Sequence, residues 1–271
     1  MIKRAIFVFT FVFLMFPAIS QDVLAYFRGE AKSFISLNVG CAFPAGRYSQ
    51  KTIYENYGNP YLLNKPKLPL TGNSDYVVAG FANPGISISA NGAWYFIKFL
   101  GIGLRASVSQ NFLATNKLNN AYNEVYNISE DNVYDFNFST NDYYYSAYLA
   151  PGIYFSVPII DNTLFFSLEA GFGPFYAHFP EFTCDYTLND LSFTEHSQPA
   201  SEWDFSYYLA IGAKYKQPEG RFGFNFELSY NEFSPEYKIT TTRGTSSIEN
   251  TIPAFYRNIN LSAGVVLFLG R

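Results

Sequence analysis

The feature that most limits what this chain can fold into is a two-residue alternation of large apolar with small polar side chains, returning in about eight segments. Ile35, Leu37, Val39, Cys41 and Phe43 fall on one side, and Ser36, Asn38, Gly40 and Ala42 on the other, because successive side chains of a strand point to opposite faces. Ile102, Leu104, Ala106 and Val108 stand against Gly103, Arg105, Ser107 and Ser109 in the same way. Tyr145, Ala147, Leu149, Ile153 and Phe155 oppose Ser146, Tyr148, Ala150, Gly152 and Ser156, and Phe166, Leu168, Ala170 and Phe172 oppose Ser167, Glu169, Gly171 and Gly173. Further runs lie at Leu209–Lys214, Phe222–Ser229 and Asn258–Leu267, with a weaker one around Ile86 and Ile88. Each run is long enough for a tilted strand of about 11 residues to cross a bilayer.

The connections alternate between short and long. Short ones fall near Trp94 to Leu100, at Pro158 to Thr163 and at Lys216 to Gly220, where Asp161-Asn162 and Pro218-Glu219-Gly220 form turns readily. Long ones run roughly from Pro44 to Asp75, Ala114 to Asp142, His178 to Glu202 and Glu232 to Ala254. That rhythm is expected of a chain passing back and forth through a membrane, with long loops outside and short periplasmic turns. Two long loops contain candidate hairpins, Phe182 to Leu188 with Leu191 to His196, and Tyr237 to Thr242 with Ser246 to Asn250.

Alternation alone fits a soluble barrel with its apolar side inward equally well. The polar side decides, since it carries mostly Ser, Asn, Gly and Ala, whereas a water-facing surface would carry Lys and Glu in number. Composition agrees: only 15% of residues are charged, against roughly 25% in an ordinary soluble domain. Aromatic residues make up 20%, and they crowd strand ends at Tyr143 to Tyr145, Trp203, Tyr207, Tyr208, Tyr230, Phe255 and Tyr256, as an interfacial girdle would. Closure follows, because an unpaired backbone amide in hydrocarbon costs several kcal/mol. The expected fold is all-β, a transmembrane antiparallel up-and-down β-barrel of about eight strands, with ten left open. Pro84, Pro151 and Pro174 interrupt it without explanation at this level, since proline removes a ladder donor.

Residues 1–20 read as a secretory signal peptide: Lys3 and Arg4, an apolar stretch from Ala5 to Phe16, then Ala18-Ile19-Ser20 before Gln21. A short periplasmic segment over 21–30 and a barrel over 31–271 would follow. Cys41 and Cys184 are read as separate thiols. With a net charge of −4 and no basic run, no nucleic-acid partner is expected.

The segment Tyr148-Leu-Ala-Pro-Gly-Ile-Tyr-Phe155, the segment Phe166-Ser-Leu-Glu-Ala-Gly-Phe-Gly-Pro174 and the closing strand Asn260-Leu-Ser-Ala-Gly-Val-Val-Leu-Phe268 carry a resemblance. With the signal peptide, they resemble the small outer-membrane β-barrel proteins of Bacteroidota, the broad group of PorT-like and OmpX-like barrels. The resemblance covers about residues 31 to 271 and implies an outer-membrane barrel.

Four charges, Arg105, Glu169, Lys214 and Glu227, share the inward parity. In a bore of about eight strands such charges must pair, so they are expected to form an internal ion network that plugs the barrel. Glu124, Glu130, Asp131, Asp135 and Asp142, with Lys117, make the second loop acidic, but their spacing matches no calcium loop. His178 and His196 are the only histidines, and Glu195 and Ser197 beside His196 point away from it on an extended chain. No catalytic centre, cofactor or metal is therefore expected. The expected role is a non-enzymatic outer-membrane barrel acting through surface loops as a structural, adhesive or envelope-assembly component, a secretion-linked one included. Its partners would be outer-membrane lipid, the barrel-assembly machinery and other envelope proteins. The alternatives are a narrow channel or transporter for small apolar ligands, and an outer-membrane hydrolase that would depend on His178 or His196.

Overall fold

A computed structural model describes residues 30–50, 80–126, 134–160, 163–188, 191–254 and 256–269. The expected signal peptide over 1–20 and most of the first long loop lie outside them. Eight strands form the wall: β1 (Phe34–Pro44), β2 (Ala82–Tyr95), β3 (Leu100–Leu113), β5 (Tyr144–Ile160), β6 (Leu164–Phe179), β9 (Ala200–Lys216), β10 (Phe222–Phe233) and β13 (Tyr256–Phe268). Each pairs antiparallel with its neighbour in chain order, and β1 pairs with β13 to close the cylinder. The ring is thus an up-and-down barrel with no free edge.

The parity read from the sequence holds around the ring. Leu104, Leu168 and Phe224 are 49%, 42% and 58% exposed on the outer wall, while Ser107, Ser167 and Asn225 are buried in the bore. A cylinder with its oily side outward and its hydroxyls and amides inward is a transmembrane β-barrel, because only hydrocarbon makes that arrangement favourable. Among the described residues no helix is long and apolar enough to cross a membrane. Parity also divides the aromatic set. Tyr145 and Trp203 face outward, but Tyr144, Tyr208 and Tyr256 turn into the bore and do not join a girdle; Phe255 lies outside the described residues.

Two of the prolines sit beside a break in one ladder. Pairing of β5 with β6 runs from Tyr145 to Tyr148, skips Leu149 to Pro151 opposite Phe172 to Pro174, and resumes at Gly152 in the same register. Pro84 lies in the register shift between Asn83 and Ile86 of β2. Each thus lies at an interruption of a ladder, where a residue without a backbone N–H is tolerated.

At the long-connection end a second sheet rises above the barrel. Its strands are β4 (Tyr134–Ser139), β7 (Phe182–Leu188), β8 (Leu191–Ser197), β11 (Glu236–Arg243) and β12 (Ser246–Pro253), in the order β12-β11-β8-β7-β4. The two hairpins expected from sequence are β7–β8 and β11–β12. Strand β4 and the helix before it, α1 (Thr115–Tyr126), were not expected. Helix α1 turns Leu118, Ala121 and Tyr122 onto β4, and the side chains of Asn119 and Asn123 accept the backbone N–H groups of Phe138 and Phe136 at 2.7 and 2.8 Å. Those amides would otherwise form an open edge, so the helix closes one side of the sheet. Beneath the sheet lies an aromatic core that includes Phe136, Phe138, Phe179, Phe182, Tyr186 and Tyr237.

Candidate functional site

The bore is filled in layers. At the short-turn end Phe34, Tyr154, Phe165 and Phe268 pack together. Above them the structure brings Arg105, Glu169, Lys214 and Glu227 into one group. Arg105 projects from β3 and crosses the bore to bond Glu227 on β10, and its Nη1 lies 3.4 Å from Glu169 Oε2. Lys214 Nζ donates to Glu169 Oε1 at 3.0 Å and to Ser167 Oγ at 2.8 Å. Asn91 Nδ2 donates to both carboxylates, at 3.2 and 3.3 Å, and Arg105 Nε donates to the Tyr148 hydroxyl at 2.8 Å. Two cations against two anions leave no net charge, which is the condition for holding them out of water.

A layer of amides and hydroxyls follows. Asn258 Nδ2 donates to Asn111 Oδ1 at 2.9 Å, while Asn225 Nδ2, beside the ions and opposite Lys214 in the register, donates to Asn38 Oδ1 at 2.9 Å. The Tyr256 hydroxyl lies 2.7 Å from Ser146 Oγ. Over these, a short 3₁₀ turn at Gly46–Ser49 lays Tyr48 against Tyr256, ring centroids 4.5 Å apart, and so covers the mouth. Small inward residues make room for the rings: a Cβ on Gly171 would sit 2.3 Å from Cε1 of Tyr208.

The acidic residues of the second loop separate. Glu124 on α1 and Asp135 on β4 are exposed, whereas Glu130 and Asp131 lie outside the described residues. Asp142, expected as a solvated acid, instead lies at the rim where β5 begins, with its Oδ2 2.8 Å from Nε2 of His178. The other ring nitrogen, Nδ1, lies 2.9 Å from Ser201 Oγ, to which the Tyr176 hydroxyl donates at 2.9 Å. Burial raises the Asp142 pKa, but the hydrogen bond from His178 and the backbone N–H groups of Tyr143 and Glu181 outweigh it and hold the carboxyl below its ordinary value. All four of these side chains stand on or beside the outward face. Sequence reasoning missed the group because it placed His178 and Ser201 in a loop, where parity has no meaning.

His196 stands apart from this rim group. It faces outward on β8 with Nδ1 3.4 Å from Thr183 Oγ1, while Glu195 and Ser197 on either side are buried in the cap. Glu195 accepts from the Tyr186 hydroxyl at 3.1 Å and lies 3.7 Å from Arg243 Nη1. Cys41 is on the outer wall and Cys184 in the cap core, and both are free thiols.

Comparison with protein-family models gave no match, and comparison with curated proteins gave none either. Among solved structures, the chain is similar to Neisserial surface protein A at 12% identity and a TM-score of 0.37, covering 89% of this chain and 100% of that one. It is similar to the attachment invasion locus protein Ail of Yersinia pestis at 13% identity and a TM-score of 0.31, covering 88% and 100%. A major outer membrane protein of Thermus thermophilus gives 11% identity and a TM-score of 0.44, covering 88% and 100%. At such identities and scores, no property of those proteins carries over to this one.

Proposed function

We propose that the chain is an integral barrel of a bacterial outer membrane that acts through the surface it raises above the membrane, as a structural, adhesive or envelope-assembly component. The observation that carries this reading is the filled bore beneath a folded cap. Charges, amides and rings occupy the cylinder from one end to the other, which favours a plug over a passage for solutes. What the molecule offers outside is a five-stranded sheet on its own aromatic core, far more structure than loops alone would need to connect strands.

Export through a cleaved signal peptide over 1–20 fits this placement. So does the resemblance of residues 148–155, 166–174 and 260–268 to PorT-like barrels of Bacteroidota. Outer-membrane lipid would surround the wall, and the barrel-assembly machinery would insert it. The test is extraction of intact envelopes in mild detergent. Another envelope protein is expected to copurify, and to be lost when the β7–β8 hairpin is deleted from a barrel that still resists unfolding in unheated detergent gels. A single species in every extraction overturns the partner-binding role.

A further inference from the structure

The rim group around His178 serves neither the plugged bore nor the cap core, because it faces outward from the barrel wall. The geometry points to a hydrolytic centre for fatty-acyl esters of membrane lipids, with Ser201 as nucleophile, His178 as general base and Asp142 as the residue that positions the base.

The protons fall in the order such chemistry requires. An ionised Asp142 can only accept, so the hydrogen on the His178 ring belongs to Nε2, and Nδ1 keeps its lone pair toward the Ser201 hydroxyl. Tyr176 donates to Ser201 Oγ and leaves that oxygen's own hydrogen for the base. Nucleophile, base and orienting carboxylate in series within hydrogen-bond reach is the arrangement that activates a serine.

The scaffold is a pair of hydrogen-bonded wall strands. His178 on β6 and Ser201 on β9 are directly opposed in the ladder, as are Tyr176 and Trp203 one step closer to the membrane. The Trp203 ring braces Tyr176 at a centroid distance of 5.0 Å, and Tyr145 lies 5.7 Å from the His178 ring. Asp142 is anchored by the backbone N–H groups of Tyr143 at 2.8 Å and Glu181 at 3.1 Å.

Position selects the substrate. Tyr145, Tyr176 and Trp203 form the aromatic belt on this side of the wall, and such belts sit at the level of lipid headgroups. From Ser201 an exposed apolar track descends over Trp203 to Phe205, which stacks on Phe172 at 5.4 Å. A lipid ester beside Ser201 would therefore lay its acyl chain along that track, with its alcohol portion in the headgroup layer.

In the first step Ser201 Oγ bonds to the ester carbonyl carbon and its proton passes to His178 Nδ1. The Tyr176 hydrogen, released from Ser201, is free to meet the developing oxyanion. Collapse breaks the bond from carbon to the alcohol oxygen, which leaves with the proton held by His178. Water then adds to the acyl-serine, giving its proton to His178; Ser201 Oγ leaves with that proton, and the fatty acid is freed.

This inference rests on the membrane placement proposed above, so the full chain is first tested for flotation with phosphatidylethanolamine vesicles. Failure to float counts against the placement itself. For protein that floats, the expected results are labelling of Ser201 by a fluorophosphonate, located by mass spectrometry, and release of fatty acid. Vesicles of phosphatidylethanolamine alone and vesicles also holding acylated lipopolysaccharide distinguish the two lipid sources. Ser201→Ala should abolish both signals while still floating, and His178→Gln should slow them by about 10²-fold or more. Asp142→Asn should lower kcat with little change in KM and shift the pH profile, a signature that a merely structural contact would not give. Three outcomes overturn the proposal: a floating wild type without label or fatty acid release, label on another serine, or hydrolysis of soluble esters only.

Discussion

The barrel and the cap bury opposite things. In the wall the apolar residues face out and the bore holds Asn38, Asn91, Arg105, Glu169, Lys214 and Glu227; in the cap Phe136, Phe138, Phe182 and Tyr237 are inside. One strand pattern of period two serves both, with only its facing reversed. The reversal follows the solvent. Hydrocarbon gives no drive to hide Leu104, whereas water above the membrane drives aromatic rings together as in any soluble core. The middle of the bore is consequently held by ion pairs and amide hydrogen bonds between layers of rings, and the cap by aromatic packing.

The sharpest way to break this contrast is to remove one charge from the bore. Arg105→Met leaves Glu227 without its cation and Glu169 with Lys214 alone. Losing one partner of a buried ion pair costs about 3–5 kcal/mol. A fall of that size is expected in the urea unfolding of the barrel in detergent. Adding Glu227→Met restores charge balance and should recover much of the loss; no recovery would mean that the group acts through shape rather than charge.

The next effect belongs to the lipid face. Leu104→Arg adds a charge to the outer wall, where arginine near the bilayer midplane costs roughly 2–4 kcal/mol. The same variant should be nearly silent in a detergent whose polar heads reach the wall. Equal destabilisation in both media would argue that Leu104 packs against protein.

A smaller change tests whether the cap is an independent unit. Asn123→Ala removes the acceptor for the Phe136 N–H at the edge of β4, and a half-buried amide left unpaired costs about 1–3 kcal/mol. Faster hydrogen exchange is expected over residues 115–126 and 134–139, with the barrel transition unmoved. If the barrel transition moves as well, cap and wall unfold together.

Much of this was legible because alternation is a local signal. All eight wall strands and both cap hairpins are visible in it, as is the shared inward parity of Arg105, Glu169, Lys214 and Glu227. Helix α1 was not, since its buried stripe is only Leu118, Ala121 and Tyr122 among asparagines, and asparagine ordinarily reads as loop. The use of Asn119 and Asn123 to close a sheet edge is a tertiary fact. The rim group was hidden for another reason. His178 lies 36 residues from Asp142 and 23 from Ser201, so only the register of β6 against β9 brings them together. Extending the parity of Phe172 and Trp203 to the strand ends would have placed both side chains outward, but the strand ends were the part that alternation left undefined.

The smallest effect is one of pH, and it separates rim from wall. The Asp142 carboxyl accepts from His178 Nε2, Tyr143 N and Glu181 N, with Tyr145 beside it, and its pKa in the folded protein is depressed. A depressed carboxylate contributes stability above its unfolded pKa of about 3.9 and loses it as pH falls through the lower folded value. Glu181 lies in the corner between β6 and β7, so protonating Asp142 weakens one of the ties between the cap and the start of β5, the Thr140 hydroxyl on the Glu181 carbonyl being another. Pepsin digestion at successively lower pH should therefore begin to cut near residues 180–182 below about pH 4, while the wall strands stay protected. Asp142→Asn keeps a single carbonyl acceptor, enough for one of the two backbone amides, and has no proton to take up, so its cutting rate should lack that acid step. An unchanged step in the variant would assign the transition to another carboxylate and leave Asp142 with no part in joining rim to cap.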